Sequence, residues 1–280
     1  MLNLIRMDLY RLIHSKSTWV IMVFVIALAI FGSVMTDTDI ELLKEEPAMA
    51  TEASEDRPIG IYVEAQPEWL TGSIEMGSEV SAEMRSELLA VLCVIFAAIF
   101  ANGDYKNGYI KNIAGRFPRR EQLVISKFVT IAFQVFLMTA LFVATLVISG
   151  YVLWGSDFYL GDAGDFFKYI FVQYLLHLGM ASLIMFLCLL TRSAAFGMTG
   201  GILFCSGLAV PLYALINKGI NGLKHGLDFD INKYVLDGNI TMLKYDSAAS
   251  MIDRGLLVGA AFAVVSLALA VLITKKRDIR

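Results

Sequence analysis

Residues 128–156 read FVTIAFQVFLMTALFVATLVISGYVLWGS, a run of 29 residues without Asp, Glu, Lys or Arg. A helix of roughly 20 such residues is long enough to cross the hydrocarbon core of a bilayer. Because the run is continuously apolar and does not alternate, it favours a helix over a strand of a membrane barrel. This stretch therefore predicts a protein built from membrane-spanning helices.

The rest of the chain repeats this pattern. Of its 280 residues, 57% are hydrophobic and 18% are charged, against about 25% charged residues in a soluble domain. Arg192 interrupts a long apolar stretch, and at the centre of one helix it would cost several kcal/mol, so we expect a tight turn there. Pro211 is expected to kink or end the helix that follows. We predict an all-α fold with six spans at 17–36, 88–103, 128–156, 169–191, 193–217 and 255–274.

Charged residues are distributed unevenly between the connecting segments. With the N-terminus in the cytoplasm, the inner segments hold 14 basic and 4 acidic residues, and the outer segments hold 9 basic and 22 acidic residues. Cytoplasmic loops carry an excess of Lys and Arg, so both termini are expected inside. The long inner segments are 1–16, 104–127 and 275–280, and the long outer segments are an acidic lobe at 37–87 and a loop with short helices at 218–254.

The N-terminal region allows two interpretations. Apolar residues at helical spacing in 1–16 predict an amphipathic helix in the membrane interface, while a straight extension of the first span is the alternative. The first span is expected to be an uncleaved anchor, because its apolar run exceeds the roughly 7–15 residues of a signal peptide. The acidic segment 37–87 is expected to be a partly ordered external lobe, with a solvated linker as the alternative.

We expect no enzyme activity from the chain itself. Gly103 and Gly108 have the glycine spacing of a phosphate-binding loop, but Tyr109 and Ile110 stand where Lys and Ser or Thr would hold phosphate and magnesium. The histidines lie on separate segments and the cysteines fall in apolar runs, so no metal site is expected. The chain is expected to bind no cofactor and no nucleic acid.

Polar residues within the predicted spans are few. Gln134 lies in the third span, and Gln173 and His177 share one face of the fourth. They could line a translocation path, or they could form hydrogen bonds between helices. Gly197 and Gly201 form a GxxxG pattern in the fifth span, which predicts close helix packing within one subunit or, alternatively, a dimer face.

Residues 104–127 read DYKNGYIKNIAGRFPRREQLVISK between the second and third spans. They combine an apolar stripe with surrounding positive charge, which predicts a docking element for a partner. The alternative is that the charges only fix topology and contact anionic lipid. The stripe consists of Tyr109, Ile110, Ile113 and Phe117, and the basic residues are Lys106, Lys111, Arg116, Arg119 and Arg120.

The span pattern and this segment resemble the membrane subunits, or permeases, of ABC-2 type ABC transporters. Such permeases typically place an acidic residue four positions before a glycine after the second span, as Asp104 and Gly108 stand here. They place a basic residue seven positions before a lysine at the start of the third span, as Arg120 and Lys127 stand here. The sequence departs from the pattern in having Asp104 instead of Glu, and Ser126 instead of Gly.

The resemblance implies that 104–127 forms a coupling helix in a cleft of a separate ATPase subunit. It also implies two ATPase copies that carry ATP and magnesium, a second copy of the chain or a sister permease, and a bacterial cell membrane as the location. The external lobe is similar to that of lantibiotic- and bacitracin-resistance permeases and peptide exporters, which implies an amphipathic or peptide substrate such as an antimicrobial peptide. The coupling residues implied are Asp104, Gly108, Tyr109, Ile110, Ile113, Phe117, Arg119, Arg120 and Lys127.

An ATPase-independent secondary transporter, or a membrane sensor, is the alternative function. The scarcity of acidic residues within the predicted spans argues against ion coupling.

Overall fold

The structure, a computed structural model, describes residues 1–45, 69–70, 72–106, 121–223 and 229–276. Within these residues the chain forms ten α-helices and one short parallel pairing of two strands. The helices are α1 (Leu2–His14), α2 (Lys16–Glu45), α3 (Met76–Arg85), α4 (Leu88–Lys106), α5 (Glu121–Trp154), α6 (Ala163–Thr191), α7 (Ala194–Cys205), α8 (Val210–Leu223), α9 (Leu236–Met242) and α10 (Ala249–Lys276); the strands are β1 (Ile74–Glu75) and β2 (Phe158–Tyr159).

Four of these helices are individually long and apolar enough to cross a membrane, namely α2, α5, α6 and α10. Two further spans arise only if bent pairs are counted: α3 with α4, bent by 53°, and α7 with α8, bent by 69°. The prediction of an all-α protein with several membrane-spanning helices is confirmed, with four to six candidate spans. The strand pairing was not predicted, since two residues per strand leave no periodic signal.

The second predicted span begins where the structure has it, because α4 begins at Leu88. Glu87, the residue before α4, has φ of +63° and separates α4 from α3. A non-glycine residue rarely adopts this left-handed conformation. The chain therefore bends between α3 and α4.

Within the acidic segment 37–87 the structure describes residues 37–45, 69–70 and 72–87. The helix that begins at Lys16 continues to Glu45, beyond the predicted end of the first span. At the other end, α3 is a helix in which every residue except Ser78 is buried. The charged residues of α3 are therefore buried between helices, although charged residues are usually exposed.

The fifth predicted span is two helices instead of one. Gly207, in the turn between α7 and α8, has φ of +70°, which glycine adopts without steric cost. Pro211 lies in the first turn of α8, where the missing N–H removes no helical hydrogen bond. The break therefore precedes the proline that was expected to cause it.

The turn at Arg192 lies where the sequence places it. Arg192 has φ of +56° and ends α6, and the Ser193 hydroxyl accepts a hydrogen bond from the Phe196 N–H at 3.2 Å to cap α7. Such an N-cap stabilises a helix start by about 1 kcal/mol. These two residues reverse the chain without a long loop.

Helix α6 lies at the centre of the bundle and packs on α4, α5, α7 and α10, while α2 and α1 pack on α5. The α6–α10 contact brings the backbones of two long helices close together at glycines. A β-carbon added at Gly259 would lie 2.8 Å from the backbone carbonyl of Leu175, and one added at Gly179 would lie 2.9 Å from the carbonyl oxygen of Gly259. Only glycine permits backbones to approach so closely.

Candidate functional site

One face of the bundle gathers helix ends that are distant in sequence. Lys275 Nζ lies 2.8 Å from Glu121 Oε2, which joins the end of α10 to the start of α5. The Asn102 amide, oriented so that its hydrogen-bonding groups are satisfied, accepts from the Ser193 N–H at 3.3 Å and joins the end of α4 to the α6–α7 turn. We call this the proximal face; it also holds α1, which packs on α5, so α1 and the end of α10 lie on the same face.

The opposite, distal face is closed by other contacts. Trp154 Nε1 donates to Asp37 Oδ1 at 2.8 Å, which joins the end of α5 to the second half of α2. Tyr245 donates its hydroxyl proton to the Asp162 carbonyl at 3.2 Å. Burial, reinforced by the neighbouring Glu75, raises the pKa of Tyr245 to about 12. The phenol therefore stays a neutral donor at physiological pH.

A cluster at the proximal face ties α1 to α4 and α5. We call it the α1 junction: Asp8, Arg11, Phe100, Ser126 and Lys127. Asp8 is 3% exposed, accepts a hydrogen bond from the Ser126 hydroxyl at 2.5 Å and lies 3.9 Å from Arg11 Nη1. Arg11 and Lys127 lie 5.1 and 5.4 Å from the centre of the Phe100 ring, within the range of cation–π attraction.

The local sequence explains how α1 reaches this position. Its buried residues Leu4, Asp8 and Leu12 follow one another at intervals of four, so they lie on one helix face. The two leucines pack against the bundle and place the carboxylate between them opposite α5. The amphipathic helix was predicted, but the sequence did not predict that a buried aspartate lies on its apolar face.

The predicted coupling residues fall into two groups. Gly108, Tyr109, Ile110, Ile113, Phe117, Arg119 and Arg120 lie outside the described residues. Asp104 belongs to the last turn of α4, and Lys127 lies inside α5 and is 4% exposed. Lys127 is a buried residue of the α1 junction, because α5 begins seven residues before the predicted start of the third span; its role in coupling stays a prediction.

The three polar residues proposed to line a path are buried and contact different helices. Gln134 Nε2 donates to Met22 Sδ on α2 at 3.2 Å. Gln173 Nε2 donates to the Tyr169 hydroxyl at 2.8 Å and approaches the Ile240 carbonyl at 3.4 Å. His177 Nδ1 lies 2.7 Å from the Gln173 carbonyl oxygen, one turn earlier on α6. These contacts support hydrogen bonding between and within helices, and they do not bring Gln134 to the other two.

The predicted glycine pair lies at helix contacts within the chain. A β-carbon at Gly197 would overlap Cys188 on α6, and one at Gly201 would overlap Val94 on α4. A second pair with the same spacing, Gly255 and Gly259, packs α10 on α6. Sequence reasoning missed this second pair, although its GxxxG spacing was readable.

Helix α3 carries buried polar side chains on two opposite sides. On one side, Arg85 Nε donates to the Thr241 carbonyl at 2.6 Å, and the Ser81 hydroxyl accepts from the Tyr245 N–H at 3.1 Å. On the other, Glu79 and Glu83 are fully buried, and Glu83 Oε1 accepts from the Thr36 hydroxyl at 3.3 Å. We call α3, with these four residues, the α3 wedge. Among the described residues, no group of three or more His, Cys, Asp or Glu side chains could hold a metal ion.

The apolar helices place the chain in the class of multi-pass helical membrane proteins. The family described as "Protein of unknown function (DUF2705)" matches residues 78–280, most of the chain, and the chain belongs to that family. Among curated proteins, none matches the chain. The family match begins inside α3 and covers the four polar residues of the α3 wedge and every later helix, whereas α1 and α2 precede it.

Proposed function

We propose that the chain is the membrane-spanning permease subunit of a bacterial ABC exporter. In this proposal a separate ATPase subunit, present in two copies, holds ATP and magnesium and docks on residues 104–120 at the cytoplasmic face. A second copy of the chain, or a sister permease, completes the assembly. The substrate class, an amphipathic molecule or peptide such as an antimicrobial peptide, follows from the resemblance of the sequence to peptide exporters.

The α1 junction is the observation that carries the proposal. Phe100 lies near the end of α4 and Lys127 near the start of α5, so the cation–π contact between them holds together the two helices that flank 107–120. Asp8 and Arg11 fasten both helices to α1. A docking segment held at both ends in this way would pass a displacement to α4 and α5 instead of absorbing it.

The position of this junction agrees with the charge distribution. The proximal face holds α1, the start of α5 and the end of α10, which are the segments with a basic excess. The positive-inside rule assigns such segments to the cytoplasm, where an ATPase would reach them. Basic residues around an apolar stripe would steer a complementary partner to the surface.

One observation favours the second candidate, an ion-coupled transporter without an ATPase. The sequence argued against it through the scarcity of acids in the predicted spans, yet Glu79 and Glu83 are buried in the bundle. Buried ionisable residues in membrane proteins commonly serve ion or proton movement. The two candidates differ in their partner, and co-purification separates them.

Replacing Ile113 with aspartate is expected to remove the ATPase from the purified chain. A charge within an apolar contact costs several kcal/mol, so the amount of co-purified ATPase should fall by at least about tenfold. Asn112→Asp adds the same charge beside the stripe and is the matched control that should retain the partner. The proposal fails if the tagged wild-type chain, extracted gently from its own cells, brings down no ATPase, or if Ile113→Asp retains as much as the control.

A further inference from the structure

Two carboxyl groups lie one helical turn apart within the bundle. Glu79 and Glu83 occupy positions i and i+4 of α3, so they share one helix face, and both are 0% exposed. Both oxygens of Glu79 and Oε2 of Glu83 have no hydrogen-bond partner among the described residues. Neither residue forms an ion pair within the described part of the chain.

The acidic side of α3 faces α2 closely. The carboxyl group of Glu83 lies directly over Gly32, where a β-carbon would overlap it. The Thr36 hydroxyl, one turn further along α2, supplies the only hydrogen bond that either glutamate receives from the described residues. Glu83 therefore occupies a space that glycine leaves open in the α2 surface.

The surrounding charged groups have other partners. Arg85 points to the opposite side of α3, where it contacts the Thr241 carbonyl, and Glu87 follows the bend after α3. Helices α4 and α5 carry their Asp, Glu and Lys residues at the proximal end, far along the helix from α3. On α2 the further charged groups are Asp37, bound to Trp154, and Asp39, Glu41, Lys44 and Glu45 beyond it. Other titratable groups on elements near α3 are Asp237, bound to Tyr213; Tyr169, bound to the Leu243 carbonyl; and Glu75 beside Tyr245.

An ionised carboxylate without a partner is costly in this setting. The effective cost of burying a single ion in a protein is several kcal/mol, and two carboxylates one turn apart also repel each other. A protonated carboxyl avoids this cost and can donate a hydrogen bond to its neighbour. The packed arrangement of α3 against α2 is therefore the arrangement of a protonated pair.

We propose that Glu79 and Glu83 form a proton-binding site on the side of α3 that contacts α2, in which protonated Glu83 packs against Gly32 and Thr36 and loss of the proton to the distal side separates the two helices. The site would link the α2–α3 contact to the pH of the solution at the distal face. This inference goes beyond the proposed function and does not depend on an ATPase partner.

Infrared spectroscopy of the full-length chain in lipid nanodiscs tests proton occupancy directly. At about pH 7 exposed carboxyl groups are ionised, so a protonated-carboxyl band at that pH must come from a buried acid. We expect this band in the wild type and in the control Glu41→Gln, an exposed position on α2, and its loss in the Glu79→Gln/Glu83→Gln double variant. Absence of the band in the wild type at neutral pH would overturn the proposal.

Thermal unfolding against pH provides the second readout. The folded state binds a proton that the unfolded state releases, so stability is full at low pH and declines as pH rises through the titration of the folded pair. Between about pH 5 and about pH 9 the Tm of the wild type should fall by about 5 °C or more, while the double variant should lose less than half as much. Equal pH dependence in both would contradict the site. If the double variant does not fold, the same measurements on each single Gln variant, together with the protonated-carboxyl band of the wild type, test the site.

Discussion

Gly259→Val should prevent α10 from packing on α6 and should remove most of the folded protein. The valine β-carbon would lie 2.8 Å from the Leu175 carbonyl carbon and oxygen and 2.9 Å from the Leu176 nitrogen. These are backbone atoms of a central helix, so they cannot move aside as a flexible side chain would. Overpacking usually costs about 1–3 kcal/mol, and we expect a loss at or above the upper end of that range.

Size-exclusion profile and Tm in detergent measure this effect. Gly219→Val is the matched control, because nothing lies within 4 Å of the β-carbon that Gly219 would acquire on α8. A loss of 3 kcal/mol corresponds to a decrease in Tm of roughly 6–12 °C for a protein of this size. If the two valine variants had the same Tm, the described α6–α10 contact would be incorrect.

Asp8→Ala should release α1 from the bundle. The substitution removes the acceptor of the Ser126 hydrogen bond and the negative charge beside Arg11, and it leaves two cations near one aromatic ring. Removing one member of a buried charged cluster costs about 3–5 kcal/mol. Because the Arg11 side chain is 32% exposed to solvent, we expect about 3 kcal/mol, the lower end of that range.

Hydrogen exchange of the α1 amides measures this release. A loss of about 3 kcal/mol would accelerate exchange by about a hundredfold, and only in α1 and the adjoining turns of α4 and α5. Arg6→Ala, at an exposed position on the same helix, is the control and should leave exchange unchanged. Unaltered protection of α1 in Asp8→Ala would show that the junction does not hold the helix.

The parts of the fold that depend on long apolar runs could be predicted from the sequence. Membrane helices form wherever about 20 apolar residues follow one another, because the backbone must satisfy its own hydrogen bonds in lipid. The run around residues 128–156 became α5, and the break at Arg192 became the turn between α6 and α7. These features required no knowledge of tertiary contacts.

Bends within a span could not be predicted in the same way. They depend on single residues with positive φ, Glu87 and Gly207. The second bend was expected at Pro211, but it lies before that residue, at Gly207. A glutamate in the left-handed region has no sequence signal, because most glutamates adopt ordinary helical or extended values.

The burial of charged side chains was the second feature that could not be predicted from the sequence. Asp8, Lys127, Glu79 and Glu83 were assigned to exposed segments because isolated charges are rarely buried. The structure buries each of them, Asp8 and Lys127 in the α1 junction and the two glutamates in the α3 wedge. The spacing of Glu79 and Glu83 among apolar neighbours of α3 was a readable signal of a shared face, but not of what that face contacts.

The most direct test of the proposed coupling is photocross-linking in living cells. A photoreactive amino acid at position 113 would report which protein touches the segment between α4 and α5, and the same amino acid at Tyr245 on the distal face provides the control. We expect position 113 to become covalently linked to an ABC-type ATPase and position 245 not to. Cross-linking of position 113 to lipid or to other proteins, with no ATPase attached, would contradict it.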